Sequence, residues 1–321
     1  MEQDIAALQT QGALTTNKKR IHKSNRRKGR TLFIICILAI PILNWLVFWL
    51  YVNISSIFLA FQELDPATGT QEWVKWKNFT KLWEQITGDG DLLLSLQNTG
   101  RYFLSSLLIT MPLSLFISYF LSKKIWGYQF YRVVFYLPCI IMPVVLTSVY
   151  DKMLDPRGPI AKIFEKLSIS YPLEGPLYKE DSVMPTVMII VYTILTGFGG
   201  DMLIFSGAMS RIPTEVYESA RLDGCGPIRE VFTIVMPLIW STISTKIVLL
   251  MSGIFAASGP IMLLVTNNFK TTTVAFWIFN MVQKGEDVNL VAAAGLCFTL
   301  IIIPIIFGVR ALMDKFGNVE Y

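Results

Sequence analysis

Six stretches of this chain are long and apolar enough to require crossing a membrane: 32–61, 101–121, 133–150, 183–207, 238–265 and 290–313. A hydrocarbon core holds no water to satisfy an open backbone, so a run of about 20 apolar residues must be helical there. Composition agrees. Only 16% of the residues are charged and 53% are apolar, whereas a soluble domain carries about 25% charge. The fold class is therefore an all-α integral membrane protein of six transmembrane helices. The first stretch exceeds one crossing and needs tilt or a kink, for which Pro41 is placed. A basic block precedes it, as in a signal peptide. The apolar run is too long for such a peptide and no small-residue cleavage pattern follows, which makes it an uncleaved first span.

Six spans put both termini on one side, and basic residues favour the cytoplasm. Eight of the 28 Lys and Arg residues lie between Lys18 and Arg30. With that tail inside, Lys123, Lys124, Arg132, Arg211, Arg221, Arg229, Arg310 and Lys315 are also inside. The resulting organisation is a basic tail (1–30), a first transmembrane helix (31–61), an outer loop (62–100) and a core transmembrane domain (101–321) that contains the polar loop 211–237. In the outer loop Trp73, Trp76, Phe79, Leu82, Trp83 and Ile86 recur at helical spacing, which predicts an amphipathic helix at the membrane interface. Residues 151–182 read as a loop with one short helix. The expected topology is multi-pass, with both termini cytoplasmic.

Enzymatic chemistry finds little footing. The four cysteines fit no zinc or disulfide pattern, and the single His22 lies in the basic tail. No H-E-x-x-H, G-x-S-x-G or G-x-x-x-x-G-K-[ST] occurs, so metal hydrolysis, a serine nucleophile on an elbow and a phosphate-cradling loop have no residues here. No cofactor and no metal is expected on this chain.

Between the fourth and fifth spans the apolar sequence gives way to "EVYESARLDGCGPIREVFTIVMPLI", Glu215 to Ile239. Pro213 suits a helix start and Glu215 favours the positive end of its dipole. Val216, Ala220 and Leu222 predict one apolar stripe, and Glu218 and Arg221 stand three apart, close enough to pair. Asp223-Gly224 stops the helix, with Gly224 free to take positive φ. Pro227 starts a second helix whose face Ile228, Val231, Phe232 and Val235 returns to the membrane, and Pro237 opens the next span. A connector needs only a few polar residues. This one is a shaped object, suited to a groove in a cytoplasmic partner.

The segment "ESARLDGCGPIREVFTIVMP" resembles the cytoplasmic loop of permease subunits in binding-protein-dependent ABC importers. The family pattern is Glu-Ala-Ala, three residues, Gly, nine residues, Ile, one residue, Leu-Pro. Glu218, Ser219, Ala220, Gly224, Ile234, Met236 and Pro237 keep that spacing, with Ser219 and Met236 as mild departures. "RIPTEVYE" and "LPCIIMPVVLTSVYDKMLDPRGPI" are similar to the maltose-type, carbohydrate-uptake branch. "NISSIFLAFQELDP" is similar to its members for oligosaccharides and polysaccharide fragments. The resemblance implies that the loop is a coupling helix docked in a nucleotide-binding subunit, with Glu218, Ser219, Ala220, Arg221, Asp223, Gly224, Ile234 and Pro237 forming the coupling site. It implies four kinds of partner: a second homologous permease, two ATP-binding subunits carrying ATP and magnesium, an extracytoplasmic solute-binding protein, and an oligosaccharide.

By the same resemblance, the location is the bacterial inner (cytoplasmic) membrane and spans four to six border the sugar path. Tyr192, Thr196, Lys246, Ser252 and Asn280 are its candidate side chains, with aromatic and hydroxyl groups suited to a sugar. Lys246 lies within a span. It either snorkels to the inner interface or makes a polar contact inside the bundle. Small residues of span five, from Ser241 to Gly259, serve close packing or a wet path. Trp277 either faces the path or anchors at the interface. The rival readings are a permease for a polyamine, glycerol phosphate or peptide, and a membrane scaffold or enzyme.

Overall fold

The computed structural model describes residues 30–65 except 32, 69–169 except 89, 184–256, 260–264 and 269–317. The basic block before Arg30, the segment 170–183, Ala257, Ser258 and Gly259 lie outside the described residues. Two compact units are present, Met1–Leu59 and Ala60–Tyr321.

The first unit holds a single described helix, α1 (Phe33–Leu59). The chain does not break at Pro41. The helix instead widens into a π segment at Trp45–Tyr51, a turn form that absorbs irregular backbone bonding.

The second unit is otherwise helical, apart from a small hairpin of β1 (Gln62–Leu64) and β2 (Gln71–Trp73), antiparallel with Glu63 opposite Glu72. Helix α2 (Lys77–Thr87) follows, then α3 (Asp91–Ser122), α4 (Tyr128–Ile140), α5 (Pro143–Leu154) and α6 (Pro159–Lys166). Next come α7 (Met184–Met209), α8 (Thr214–Leu222), α9 (Pro227–Leu238), α10 (Trp240–Ser252) and α11 (Ile261–Leu264). The last two helices are α12 (Val274–Lys284) and α13 (Val288–Gly317).

Four continuous helices, α1, α3, α7 and α13, are long and apolar enough to cross a membrane, and two bent pairs bring the number to as many as six. The bends correct the expected straight spans. The stretch 133–150 is broken at Ile141–Met142, where Tyr128–Ile140 and Pro143–Lys166 meet at 102°. Pro143 is the cause, since a proline drives the preceding residue out of the helical region, and Met142 has ψ 132°. The stretch 238–265 is not one helix either. Its regular part, α10, has 13 residues, about 20 Å at 1.5 Å per residue, and meets α9 at 78°. The fifth span therefore starts inside the polar loop. The second span starts ten residues earlier than its apolar run suggests, at Asp91, whose charge suits a helix N-terminus.

The core is a sequence of interhelical contacts. Met111, Leu115 and Tyr119 of α3 pack with Phe205 and Met209 of α7, Val231 and Val235 of α9, and Ile243 of α10. The Ser114 and Ser118 hydroxyls of α3 donate to the Phe198 and Met202 carbonyls of α7 at 3.2 and 2.8 Å. Small hydroxyl residues thus bring two backbones together. Gly199 does the same on another face of α7, where a Cβ would stand 2.5 Å from the Phe135 carbonyl oxygen of α4.

Helix α2 exists where the tryptophan spacing predicts one, though Trp73 falls in β2 and Trp76 precedes the helix. Leu82 and Ile86 face the protein, packing with Leu92, Trp277, Leu290 and Phe298, while Trp73, Trp76 and Trp83 are exposed. Trp277 is thereby a core residue.

Candidate functional site

The loop between α7 and α9 folds as two helices and an elbow. Pro213 sits one residue ahead of α8 with ψ 144°, and Glu215 occupies the first turn. The helix closes in a Schellman turn: Cys225 N–H donates to the Ala220 carbonyl at 2.9 Å and Gly224 N–H to the Arg221 carbonyl at 3.1 Å. That turn requires positive φ at Gly224, which has φ +70°. Nothing in this chain lies within 4 Å of a Cβ built there, so the glycine answers the backbone and leaves its outer side open. Pro227 starts α9, a π segment spans Val231–Val235, and Pro237 stands just before the bend at Ile239. A π segment lengthens the hydrogen-bonded turn ahead of a proline that can donate nothing.

The loop has two faces. Inward are Ala220, Glu230, Val231 and Val235, all buried, with Val216 packed on the same cluster. Outward are Glu218, Ser219, Arg221, Asp223 and Gly224. Leu222 and Ile228 are 89% and 69% exposed. The expected stripes therefore need correction, because neither residue points inward. Helix α8 covers only nine residues, and Leu222 lies at its closing turn, about 200° around the axis from Ala220 at 100° per residue. Glu218 and Arg221 form no ion pair with each other among the described residues, and the Ser219 hydroxyl donates to the Glu215 carbonyl at 2.8 Å. Ile234 is half-buried.

Two ion pairs fix this region, and each contains an acid that the sequence reading passed over. Lys123, at the end of α3, contacts Glu230 of α9. Lys246 of α10 contacts Asp201 of α7, with side chains 21% and 15% exposed. Of the two readings for Lys246, the polar contact inside the bundle is the one observed. The available signal was one acid and one base in two neighbouring apolar stretches, since an unpaired charge there is costly.

The other candidate path residues are dispersed. Tyr192 is buried with Tyr102, Ile189, Ile261 and Phe276, its ring edge-on to Tyr150 at 5.2 Å. Thr196 donates to the Tyr192 carbonyl and Ser252 to the Val248 carbonyl, each within its own helix. Asn280 is half-buried on α12. None of these lines the cavity of about 80 Å³ between α3, α7 and α10, which is bordered by Thr99, Tyr102, Ser106, Thr193 and Gly253. That volume is well below the roughly 300 Å³ at which ligand pockets begin.

On the opposite side of the unit, Glu63 of the hairpin accepts from Lys77 at 2.6 Å and Lys81 at 2.8 Å, and Lys81 reaches Asp287 at 3.4 Å. The Lys77 and Lys81 hydrogen bonds hold the Glu63 carboxyl below its usual pKa, and Glu63 raises that of Lys81. Asn78 clamps the hairpin by donating to the Ala60 and Gln62 carbonyls.

Residues 103–317 match the family model described as "Binding-protein-dependent transport system inner membrane component". The chain belongs to that family. It is a membrane-spanning permease subunit of an importer, a transport component and not an enzyme. Among curated relatives, the permease is 24% identical over 310 residues to the diacetylchitobiose uptake system permease protein NgcF of Streptomyces coelicolor, covering 90% of this chain and 86% of that one. It is 24% identical over 261 residues to the sn-glycerol-3-phosphate transport system permease protein UgpA of Yersinia pseudotuberculosis, covering 80% and 86%. Its fold matches a chain of a bacterial ABC transporter for import of the acidic polysaccharide alginate, with TM-score 0.76, 19% identity and coverage of 91% and 97%. A second alginate transporter structure, in complex with a periplasmic protein bound to alginate pentasaccharide, matches with TM-score 0.77 and 18% identity over the same shares.

Proposed function

We propose that this permease imports an oligosaccharide delivered by an extracytoplasmic binding protein. It would do so with a second homologous permease and two separate ATP-hydrolysing subunits that hold ATP and magnesium. The observation that carries the reading is the two-faced loop. Its inner face is packed and ion-paired, so its outer face is presented as a rigid surface. That surface exposes Leu222 and Ile228 together with the charged Glu218, Arg221 and Asp223, a mix of apolar and charged groups suited to a protein interface. In the coupling role Gly224 keeps the elbow tight, Ser219 and Ala220 allow close approach, and Ile234 and Pro237 seat the second helix. Closure of the ATPases would then move α7 and α10 directly through the chain. The loop and both termini are assigned to the cytoplasm on the strength of the basic tail.

The oligosaccharide reading is supported by the breadth of the match to the diacetylchitobiose permease, which takes in 90% of the chain. The glycerol-phosphate permease matches over less of it. Tyr192, Thr196, Lys246, Ser252 and Asn280 remain the proposed path residues, with Lys246 available to a solute only when its pair with Asp201 opens. The test is ATP hydrolysis by the reconstituted complex with its binding protein. Chitooligosaccharides or uronate oligomers should accelerate it. Acceleration by glycerol phosphate alone would replace the sugar reading. Topology is tested by cysteine labelling, with Asn280→Cys reacting from outside and Asp223→Cys from inside, and the reverse pattern refuting the orientation.

A further inference from the structure

The loop is joined to α7 and α10 by the chain itself, but it is also tied to α3, from which it is distant in sequence. Lys123 follows the last residue of α3. Its ammonium contacts the Glu230 carboxylate of α9 and lies 3.9 Å from the ring centroid of Tyr217 on α8. The Tyr119 ring, one turn back on α3, is 5.4 Å away. One cation therefore sits where α3, α8 and α9 converge. The side chains of Lys123 and Glu230 are only 14% and 3% exposed, so opening the pair would strand a carboxylate that water does not reach. An aromatic face adds attraction for a desolvated ammonium. Phe116 of α3 and Phe232 of α9 pack edge-to-face at 5.9 Å, a second tie between the same two helices. Further along, α3 is fastened to α7 by the Ser114 and Ser118 bonds.

We infer that Lys123 is a positioning residue that makes loop 211–237 and the end of α3 move as one body, so that displacement of the loop is delivered to α3 as well as to α7 and α10. The inference rests on the reading of this loop as the coupling element. A pair that only stabilised the fold would leave the transport stoichiometry of assembled complexes untouched, whereas a pair that transmits motion sets it.

Two measurements on the reconstituted complex test this. With Lys123→Met, solute transported per ATP hydrolysed should fall about tenfold, within the range of ordinary coupling energies, while basal hydrolysis and co-purification of the ATPase persist. Lys123→Arg should keep the wild-type ratio. An unchanged ratio in assembled Lys123→Met complexes overturns the inference. In a background with Cys36, Cys139, Cys225 and Cys297 replaced by Ser, Lys123→Cys and Glu230→Cys are bridged by a cleavable bis-methanethiosulfonate. The unbridged double-cysteine variant lacks the ion pair and should be uncoupled like Lys123→Met, and the covalent bridge should restore the solute transported per ATP hydrolysed. Unbridged complexes with the wild-type ratio, or a bridge that leaves the ratio low, overturn the inference; a gain that reductant reverses supports it, and this measurement decides if Lys123→Met fails to assemble. Failure of the importer reading is separable, because the unmodified complex would then show no solute-dependent hydrolysis.

Discussion

Asp201→Asn removes the partner of Lys246 and leaves an ammonium among the apolar helices α7 and α10. A unit pair about 4 Å apart is worth about 4 kcal/mol at an effective dielectric of 20. Placing an unpaired Lys at mid-membrane costs about 2.5–3.5 kcal/mol. Each side chain keeps some exposure, 21% for Lys246 and 15% for Asp201, and part of the stranded charge would be relieved by the Lys246 stem reaching towards the interface. A destabilisation of about 2–3 kcal/mol is therefore expected, somewhat less than the roughly 3–5 kcal/mol for breaking a fully buried pair. At about 2–4 °C per kcal/mol for a unit of this size, the midpoint should fall by roughly 5–10 °C. The assay is thermal unfolding of the purified complex in detergent, read by the loss of its monodisperse gel-filtration peak. Asp201→Leu with Lys246→Met should recover most of the loss, since replacing both partners by apolar groups is often neutral. An Asp201→Asn complex as stable as wild type, or a double variant as unstable as the single one, would refute the claim that this pair joins the two helices.

Gly199→Ala should destabilise the α4–α7 contact by about 1–3 kcal/mol, because its Cβ would meet the Phe135 carbonyl oxygen at 2.5 Å. Gly207→Ala on the same helix has open space and should leave the midpoint unchanged or slightly raised in the same thermal assay, since alanine favours a helix interior over glycine. Gly224→Asp has room within the chain, so its backbone cost should stay near 1 kcal/mol. Uptake and solute-stimulated ATP hydrolysis should nevertheless fall, and normal values for both would remove the elbow from the docking surface. The outer hairpin should respond to acid. Glu63 has a lowered folded pKa, so its contribution is complete above the ordinary value of 4.5 and is lost as pH falls through the folded value. Lys81 has a raised one, so its contribution is complete below 10.5 and is lost only as pH climbs through the folded value. Amide exchange of residues 62–65 and 69–73 should thus be flat through neutral pH, once corrected for intrinsic rates, and protection should be lost progressively as pH falls below 4.5. Retained protection there would refute the role of Glu63.

The apolar runs by themselves determined that this chain lives in a membrane as helices, because lipid leaves a backbone no other way to be satisfied. The run from Pro213 to Pro237 determined the loop and its elbow, because Pro213 and Pro227 fix φ locally and Gly224 admits the positive φ that the turn requires, whatever surrounds them. Hydropathy is blind to bends, so the breaks at Ile141–Met142 and Ile239 emerged only in the folded chain, although Pro143 was in view. The directions of Leu222 and Ile228 also needed the tertiary structure, since periodicity does not say which side of a short helix meets the core. Most of all, the pairing of Lys123 with Glu230 and of Lys246 with Asp201 belongs to the fold. A buried charge demands a partner, but only the packing of distant helices decides which residue that partner is.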